Sequence, residues 1–267
     1  MSQKNNEYLE FAKDIALEAG NIMLKYFNIN DISNYKEDNT IVTLADEEIN
    51  EYLINEVKEK YPTHSVDGEE QSYGASNHVW VCDPIDGTSM FTMEVPTAVF
   101  SVALVIDGKP IVGVVYDPFL KNLYYATLGS GAYKNDKKIS VNNIKLDEVK
   151  SISDFENCGN SPYNLYETVI KLESKKNFVC IGSVTRACVA VADGKFNLVL
   201  FAGTKKKNCD IAAVKVIVEE AGGKVTDLFG DEQRYDQDIN GAIISNNYVH
   251  DDVAKITNEL LKNERKV

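Results

Sequence analysis

The run Trp80-Val81-Cys82-Asp83-Pro84-Ile85-Asp86-Gly87-Thr88 sets the tightest limit on what this chain can fold into. An apolar stretch that reads as a strand ends in two carboxylates three positions apart, followed at once by a Gly-Thr turn. Acids this close repel each other unless a cation sits between them. The oxygen donors suit a hard ion such as Mg²⁺, often held together with a substrate phosphate. Two further acidic elements point the same way: Asp67-Gly68-Glu69-Glu70 upstream, and Asn208-Cys209-Asp210-Ile211-Ala212-Ala213 far downstream.

With Val79 to Cys82 as a strand, Asp83 lies at its C-terminal end and Asp86 one turn later. Both reach the crevice where α/β folds bind ligands. Gly87 and Thr88 then open a helix whose free N–H groups and positive dipole end suit a phosphate, and the Thr88 hydroxyl can orient a water. Taken alone, Asp86-Gly87-Thr88 reads equally as a helix cap and turn. The haloacid-dehalogenase signature, Asp-x-Asp-Gly-Thr, also follows an apolar strand. Here Pro84 and Ile85 put two residues between the acids, and the motif lies far from the N-terminus.

Apolar residues from Leu9 to Tyr26 recur at three- and four-residue intervals and predict a helix over Tyr8 to Phe27. A polar loop over 28–39 follows. Thr43 precedes a second helix with acids in its first turn, which stops at Tyr61-Pro62. Strands are expected at His64 to Asp67, Ala98 to Ile106, Ile111 to Tyr116 and Asn122 to Thr127, with Asp107-Gly108 as a hairpin turn. Periodicity is lost over 145–160, which suggests a boundary between an α+β half (1–148) carrying Glu69, Asp83 and Asp86 and an α/β half (149–267) carrying Asp210 and the substrate contacts. The second half reads as strands at Val179 to Ile181, Phe196 to Phe201, Lys224 to Thr226 and Ala242 to Ile244, alternating with helices near 184–193, 210–221 and from 249.

Composition narrows the classes of function. With 267 residues, 44% of them hydrophobic, the chain can bury a sizeable core. A net charge of −13 argues against nucleic acid and anionic membrane as partners, leaving a small anionic substrate drawn in by a metal. No run approaches the roughly 20 apolar residues of a membrane span, and Met1 to Glu7 lacks the pattern of an export signal. Cys82, Cys158, Cys180, Cys188 and Cys209 are odd in number and lack CxxC spacing, so the expectation is reduced thiols in a cytoplasmic protein. His64, His78 and His250 have no spacing for zinc or a triad and read as packing or surface residues, and Tyr116, Tyr124 and Tyr125 as sheet residues.

Together, Gly68-Glu69-Glu70, Trp80 to Thr88, Cys209 to Ala213 and Glu219-Glu220-Ala221-Gly222-Gly223 resemble the inositol monophosphatase family of Mg²⁺-dependent, often lithium-sensitive phosphatases, over nearly the whole chain. Val42-Thr43-Leu44-Ala45-Asp46 and Lys36 resemble the family's metal-site loop region. The resemblance implies a layered α-β-α-β-α sandwich of the sugar phosphatase type, within the α+β class, and a homodimer. It implies a first metal on Glu69, Asp83 and the Ile85 carbonyl, a second on Asp83, Asp86 and Asp210, and a third, weaker ion on Glu69. Gly87 and Thr88 would hold phosphate oxygens. Water activated with the help of Glu69 and Thr88 would attack phosphorus directly, with Asp83 shared by two ions and no covalent phosphoenzyme.

For the substrate, the resemblance brings Ser183 and Val184 forward as pocket residues, with Arg186 nearby. The glutamate that reads inositol hydroxyls in inositol-specific members falls near Leu200 or Phe201, which cannot accept hydrogen bonds from a polyol through their side chains. The family's Trp before the metal-binding Asp is Cys209. Lys205-Lys206-Lys207 reads either as a clamp for a second anionic group, with Lys206 at its centre, or as a solvated loop. Glu70 is expected to point away from the site, and Asp46 reads as a helix-start acid or as a loop-orienting one. The expected function is hydrolysis of a small phosphorylated metabolite. Bisphosphate nucleotidase, fructose-1,6-bisphosphatase and NADP phosphatase are the alternatives within the class, and a metal- or phosphate-ligand-binding regulator is the alternative outside it.

Overall fold

The helical spacing of Leu9, Ala12, Ile15, Ala16, Ala19, Ile22 and Met23 buries one face of the first helix, α1 (Gln3–Tyr26). The structure is a computed structural model and describes residues 3–29, 32–35, 41–148, 152–158, 161–173 and 177–264. Strands β1 (Ile32–Tyr35) and β2 (Ile41–Thr43) pair antiparallel where the sequence suggested only a polar loop; Lys36 lies outside the described residues. Helix α2 (Leu44–Lys60) starts at a capping box. The Thr43 hydroxyl accepts from the Asp46 amide at 3.3 Å, and Asp46 Oδ2 accepts from the Thr43 amide at 2.8 Å.

The first sheet comprises β3 (Ser65–Gly68), β4 (Ser72–Tyr73), β5 (His78–Asp86), β6 (Val99–Ile106), β7 (Lys109–Asp117), β8 (Asn122–Thr127), β9 (Ala132–Lys134) and β10 (Lys137–Lys138), with the short helix α3 (Thr88–Thr92) after β5. Its order is β10-β9-β8-β7-β6-β5-β3-β4, antiparallel except for the parallel pair β3 and β5. Asp107 and Gly108 form the β6–β7 turn with positive φ at both positions, as a two-residue hairpin requires.

The second sheet is built from β11 (Ile152–Glu156), β12 (Asn177–Val179), β13 (Leu198–Phe201), β14 (Lys224–Thr226) and β15 (Ala242–Ser245), in the order β12-β11-β13-β15-β14. Helices α4 (Tyr166–Glu173), α5 (Val184–Ala192), α6 (Asn208–Glu220) and α7 (His250–Leu261) accompany it. The sequence reading missed β11, because Ser153, Asp154 and Glu156 give the strand the polarity of a linker. It also missed α4 and placed β12 two residues too late.

Strand alternation builds the layers. Trp80, Cys82, Phe100, Val102 and Leu104 pack with α1 and α2, while Val79, Val81, Ala103 and Val105 face α5 and α6. In the second sheet Val199, Phe201, Ala242 and Ile244 join that same inner core, and Leu198, Leu200 and Ile243 face α4 and α7. The result is the expected α-β-α-β-α sandwich, with α5 and α6 buried between the sheets. The histidines have packing partners: Trp80 Nε1 donates to His64 at 3.1 Å, and His250 lies 2.8 Å from Ser245 Oγ. The five cysteines are free.

Gly113 is where α6 crosses β7. A methyl group there would collide with the Ala213 carbonyl and come within 2.6 Å of Val216 Cγ1. Gly113→Ala should therefore lower stability by about 1–3 kcal/mol, the usual cost of overpacking, seen as a lower urea midpoint with an unchanged m-value. An unchanged midpoint would show that the α6–β7 approach is loose.

Candidate metal and phosphate site

Two acids of the site share a face because of an irregularity in the backbone. Along a regular strand, residues three apart face opposite ways. Against β6, however, Asp83 pairs with Ser101 and Asp86 with Val99, so β5 carries one extra residue between its acids. Pro84 cannot donate a ladder hydrogen bond, which suits it to that bulge. The extra residue returns Asp86 to the face of Asp83. Gly87 then turns the chain into α3 with φ of 91°; a side chain there would approach the Gly182 carbonyl to 2.8 Å.

Glu69 sits just beyond β3, tied back by its amide to the Cys82 carbonyl at 3.0 Å. Asn50 of α2 braces this turn: its Nδ2 donates to the Gln71 carbonyl at 3.0 Å and its Oδ1 accepts from the Gln71 amide at 3.3 Å. Asp210 lies in the first turn of α6. The preceding Asn208 donates to Asp67 Oδ2 at 2.8 Å, joining the downstream acidic motif to the upstream one.

These acids line a cavity of about 140 Å³ with Ile41, Ile85, Gly87, Thr88, Ser89, Glu156, Gly182 and Lys207. Asp83, Asp86 and Asp210 offer oxygens all within 4.8 Å of one another, and the carboxylates of Glu69 and Asp83 lie equally close to each other and to the Cys209 sulfur. Asp83 Oδ1 accepts from the Ile85 amide at 2.9 Å, and the Thr88 hydroxyl donates to the Ile85 carbonyl at 2.9 Å. With its proton so used, Thr88 presents an acceptor lone pair.

Crowding shows in the acids' proton affinities. Burial, then Glu69, Asp210 and Asp86, push Asp83 well above the usual carboxylate range. Burial and Asp210 push Asp86 up to about 8, although Ser183 and Thr185 oppose the shift. Burial raises Asp210 while Lys207 opposes it. Burial alone would lower the Lys207 pKa, but Asp210 and Glu69 hold it well above the usual lysine value, with Nζ at 3.3 Å and 3.2 Å from their oxygens. The mutually repelling carboxylates of Glu69, Asp83, Asp86 and Asp210 fit hard divalent cations, the Cys209 thiol being spent on the Lys206 carbonyl.

Several expected substrate contacts lie elsewhere. The Ser183 hydroxyl is buried, donates to Asp86 Oδ2 and caps α5 by accepting from the Arg186 amide at 3.2 Å. It therefore positions a carboxylate, aided by the Thr185 amide, which donates to the same Asp86 oxygen at 2.8 Å. Val184 is core. Arg186 pairs with Asp117 at 3.1 Å and donates to the Pro96 carbonyl. Lys205 and Lys206 are exposed, and the Lys206 amide is held by Asp238. Only Lys207 of the triplet lines the cavity. Asp46 is the buried acid of the capping box, raised to about 8 mainly by burial. Cys209 donates its thiol to the Lys206 carbonyl at 2.9 Å and faces the acids.

Glu156 is the acidic cavity residue that sequence reading missed. It ends β11, and burial together with Asp210 raises it to about 7. The Asp154 and Glu156 pair, two apart and on one strand face, was the available signal, hidden in a segment that looked like a linker.

A family model described as the inositol monophosphatase family matches residues 4–262. The Thermotoga maritima protein described as fructose-1,6-bisphosphatase/inositol-1-monophosphatase is 30% identical over 265 residues, covering 95% of this chain and 97% of the relative. Inositol monophosphatase 1 of Solanum lycopersicum is 33% identical over 238 residues, 85% of this chain and 86% of its own. Among solved structures, a Thermotoga maritima IMPase superposes with a TM-score of 0.83 at 26% identity, covering 97% of this chain and all of that one. Motifs, layers and relatives agree, and the chain belongs to the inositol monophosphatase family.

Proposed function

We propose that this member of a phosphatase family is a Mg²⁺-dependent phosphomonoesterase that hydrolyses a small phosphorylated metabolite by direct attack of water. The observation that carries the reading is the cavity in which Glu69, Asp83, Asp86 and Asp210 converge around one lysine ammonium. Glu69, Asp83 and the Ile85 carbonyl would hold one ion and Asp83, Asp86 and Asp210 another, with Glu69 available to a third. Bound Mg²⁺ would supply charge neutralisation and Lewis acidity.

The chain's own groups account for the rest. Gly87 and Thr88, at the start of α3, offer main-chain donors to phosphate oxygens. The Thr88 lone pair and the Glu69 carboxylate accept hydrogen bonds from the attacking water and orient it. Ser183 and Thr185 fix Asp86, so that its remaining oxygen faces the cavity neighbours. None of the four acids is missing, which disfavours a binding regulator that has lost catalysis. A bisphosphatase is disfavoured because Arg186 is engaged by Asp117 and Lys207 by Glu69 and Asp210.

No described helix is long and apolar enough to cross a membrane. Free, scattered cysteines support a reducing compartment, and we place the protein in the cytoplasm. Exposed Ile29, Met93 and Leu120 stand close in sequence to Phe27, Phe91 and Phe119, whose rings touch beneath them, and these exposed apolar side chains support a homodimer.

The test is phosphate release from a panel of inositol phosphates, sugar mono- and bisphosphates, 3′-phosphoadenosine 5′-phosphate, NADP and histidinol phosphate, with Mg²⁺ and with chelator. Turnover only with Mg²⁺ is expected; turnover undiminished by chelator, or none, contradicts the reading. Asp83→Asn should lose more than about 100-fold in kcat, exceeding the loss typical of a ligand's outer partners, while its circular dichroism stays native. Near-normal activity would refute the shared carboxylate. Ser183→Ala should weaken Mg²⁺ binding, measured by calorimetry, by about 10–100-fold. A KM increase with unaltered Mg²⁺ affinity would instead make Ser183 a substrate contact.

A further inference from the structure

Glu156 stands apart from the other acids of the cavity. It belongs to neither group of converging donor atoms, yet it lines the same space beside Gly182 and Asp210. Its backbone is fixed: the carbonyl accepts from the Ala202 amide at 3.0 Å, and β11 lies parallel to β13 with Glu156 opposite Phe201. Asp154, two residues back, spends its carboxylate on the Ile181 amide at 3.1 Å. No hydrogen bond or ion pair joins the Glu156 carboxylate to any described residue. A largely buried acid that lines a cavity and has no partner among the described residues is a group available to a ligand.

The neighbours define what that ligand is. With the phosphoryl group on the acidic motifs and the start of α3, the alcohol it is esterified to lies against the remaining wall, which carries Glu156 and the side-chain-free Gly182. The apolar side chains of Leu200 and Phe201 are fully buried and offer that wall nothing polar. Among the described residues the one cation lining the cavity is engaged, the Lys207 ammonium being held by Glu69 and Asp210; the Arg186 guanidinium is held by Asp117, and Lys205 and Lys206 are exposed outside the lining. A carboxylate in that place accepts from hydroxyl or ammonium groups and repels phosphate and carboxylate.

We propose that Glu156 is the specificity-determining residue of the site, binding hydroxyl or ammonium groups of the leaving alcohol and rejecting leaving groups that carry a second anion. The inference rests on the phosphatase reading of the cavity. It assigns the recognition of the alcohol to β11 and makes the charge of the leaving group the basis of selection.

The experiment compares the unaltered protein with Glu156→Gln and Glu156→Ala on three esters at saturating Mg²⁺: inositol 1-phosphate, fructose 1,6-bisphosphate and p-nitrophenyl phosphate, whose leaving group has no hydrogen-bond donor. Mg²⁺ affinity is measured by calorimetry in parallel. Glu156→Ala should lower kcat/KM for inositol 1-phosphate by at least about tenfold, mostly through KM, and change p-nitrophenyl phosphate by less than about twofold. Both variants should raise fructose 1,6-bisphosphate turnover relative to the polyol monoester and keep the Mg²⁺ affinity. An equal loss on all three esters, a loss of Mg²⁺ affinity, or unchanged polyol turnover would overturn the role of Glu156 while leaving the phosphatase reading standing. Failure of the unaltered protein to hydrolyse any ester with Mg²⁺ would overturn that reading, and the inference with it.

Discussion

Mutual repulsion among buried carboxylates is the constraint around which this protein is organised. Asp83, Asp86 and Asp210 are almost wholly removed from water, and Glu69 and Glu156 share their cavity. Burying one unpaired carboxylate is costly; burying several together is tolerable only if they bind protons or cations. Lys207 supplies one positive charge from within the chain. The remaining negative charge is what makes the site a trap for divalent ions, and such ions in turn attract a phosphate.

The scaffold holds the acids against that repulsion by fixing each through a different element. The β5 bulge turns Asp83 and Asp86 to one side, Asn50 braces the turn that carries Glu69, and Asn208 ties α6 to β3. Asp86 is gripped by the first turn of α5, where Ser183 and the Thr185 amide meet one of its oxygens and the helix dipole favours its charge. Thr185 also donates to the Asp210 carbonyl at 2.9 Å, so one helix end steadies two of the acidic motifs. Because α5 and α6 lie between the two sheets, these contacts are set by the core itself.

Much of this was legible in the sequence. The apolar strand ending in Asp83, the capped second helix and the Asp107-Gly108 hairpin each follow from local periodicity or turn chemistry, and the family resemblance supplied the layer order. What was not legible depends on tertiary placement. Strand β11 has too few apolar residues to announce itself, because Glu156 at its end lines the functional cavity and Asp154 is bound to the Ile181 amide. The resemblance brought Ser183 and Arg186 forward as substrate contacts, but it could not show that one hydroxyl donates to Asp86 and one guanidinium pairs with Asp117. In the lysine triplet, one side chain enters the site while its two neighbours remain in solvent, a distinction made by the turn at Lys206, whose φ is 53°.

The central claim, that unneutralised carboxylates stress the site until cations enter, is tested most directly by thermal unfolding at pH 6 and pH 8.5, in chelator and in Mg²⁺. Asp86 and Asp46 are raised to about 8, and Asp154 and Glu156 to about 7, in the folded protein, against about 4 when unfolded. A raised folded pKa gives stability that is present at low pH and lost as pH climbs through the folded value. In chelator, Tm should therefore fall from pH 6 to pH 8.5, and Mg²⁺ should restore it most strongly at the higher pH. A Tm indifferent to both pH and Mg²⁺ would contradict the account.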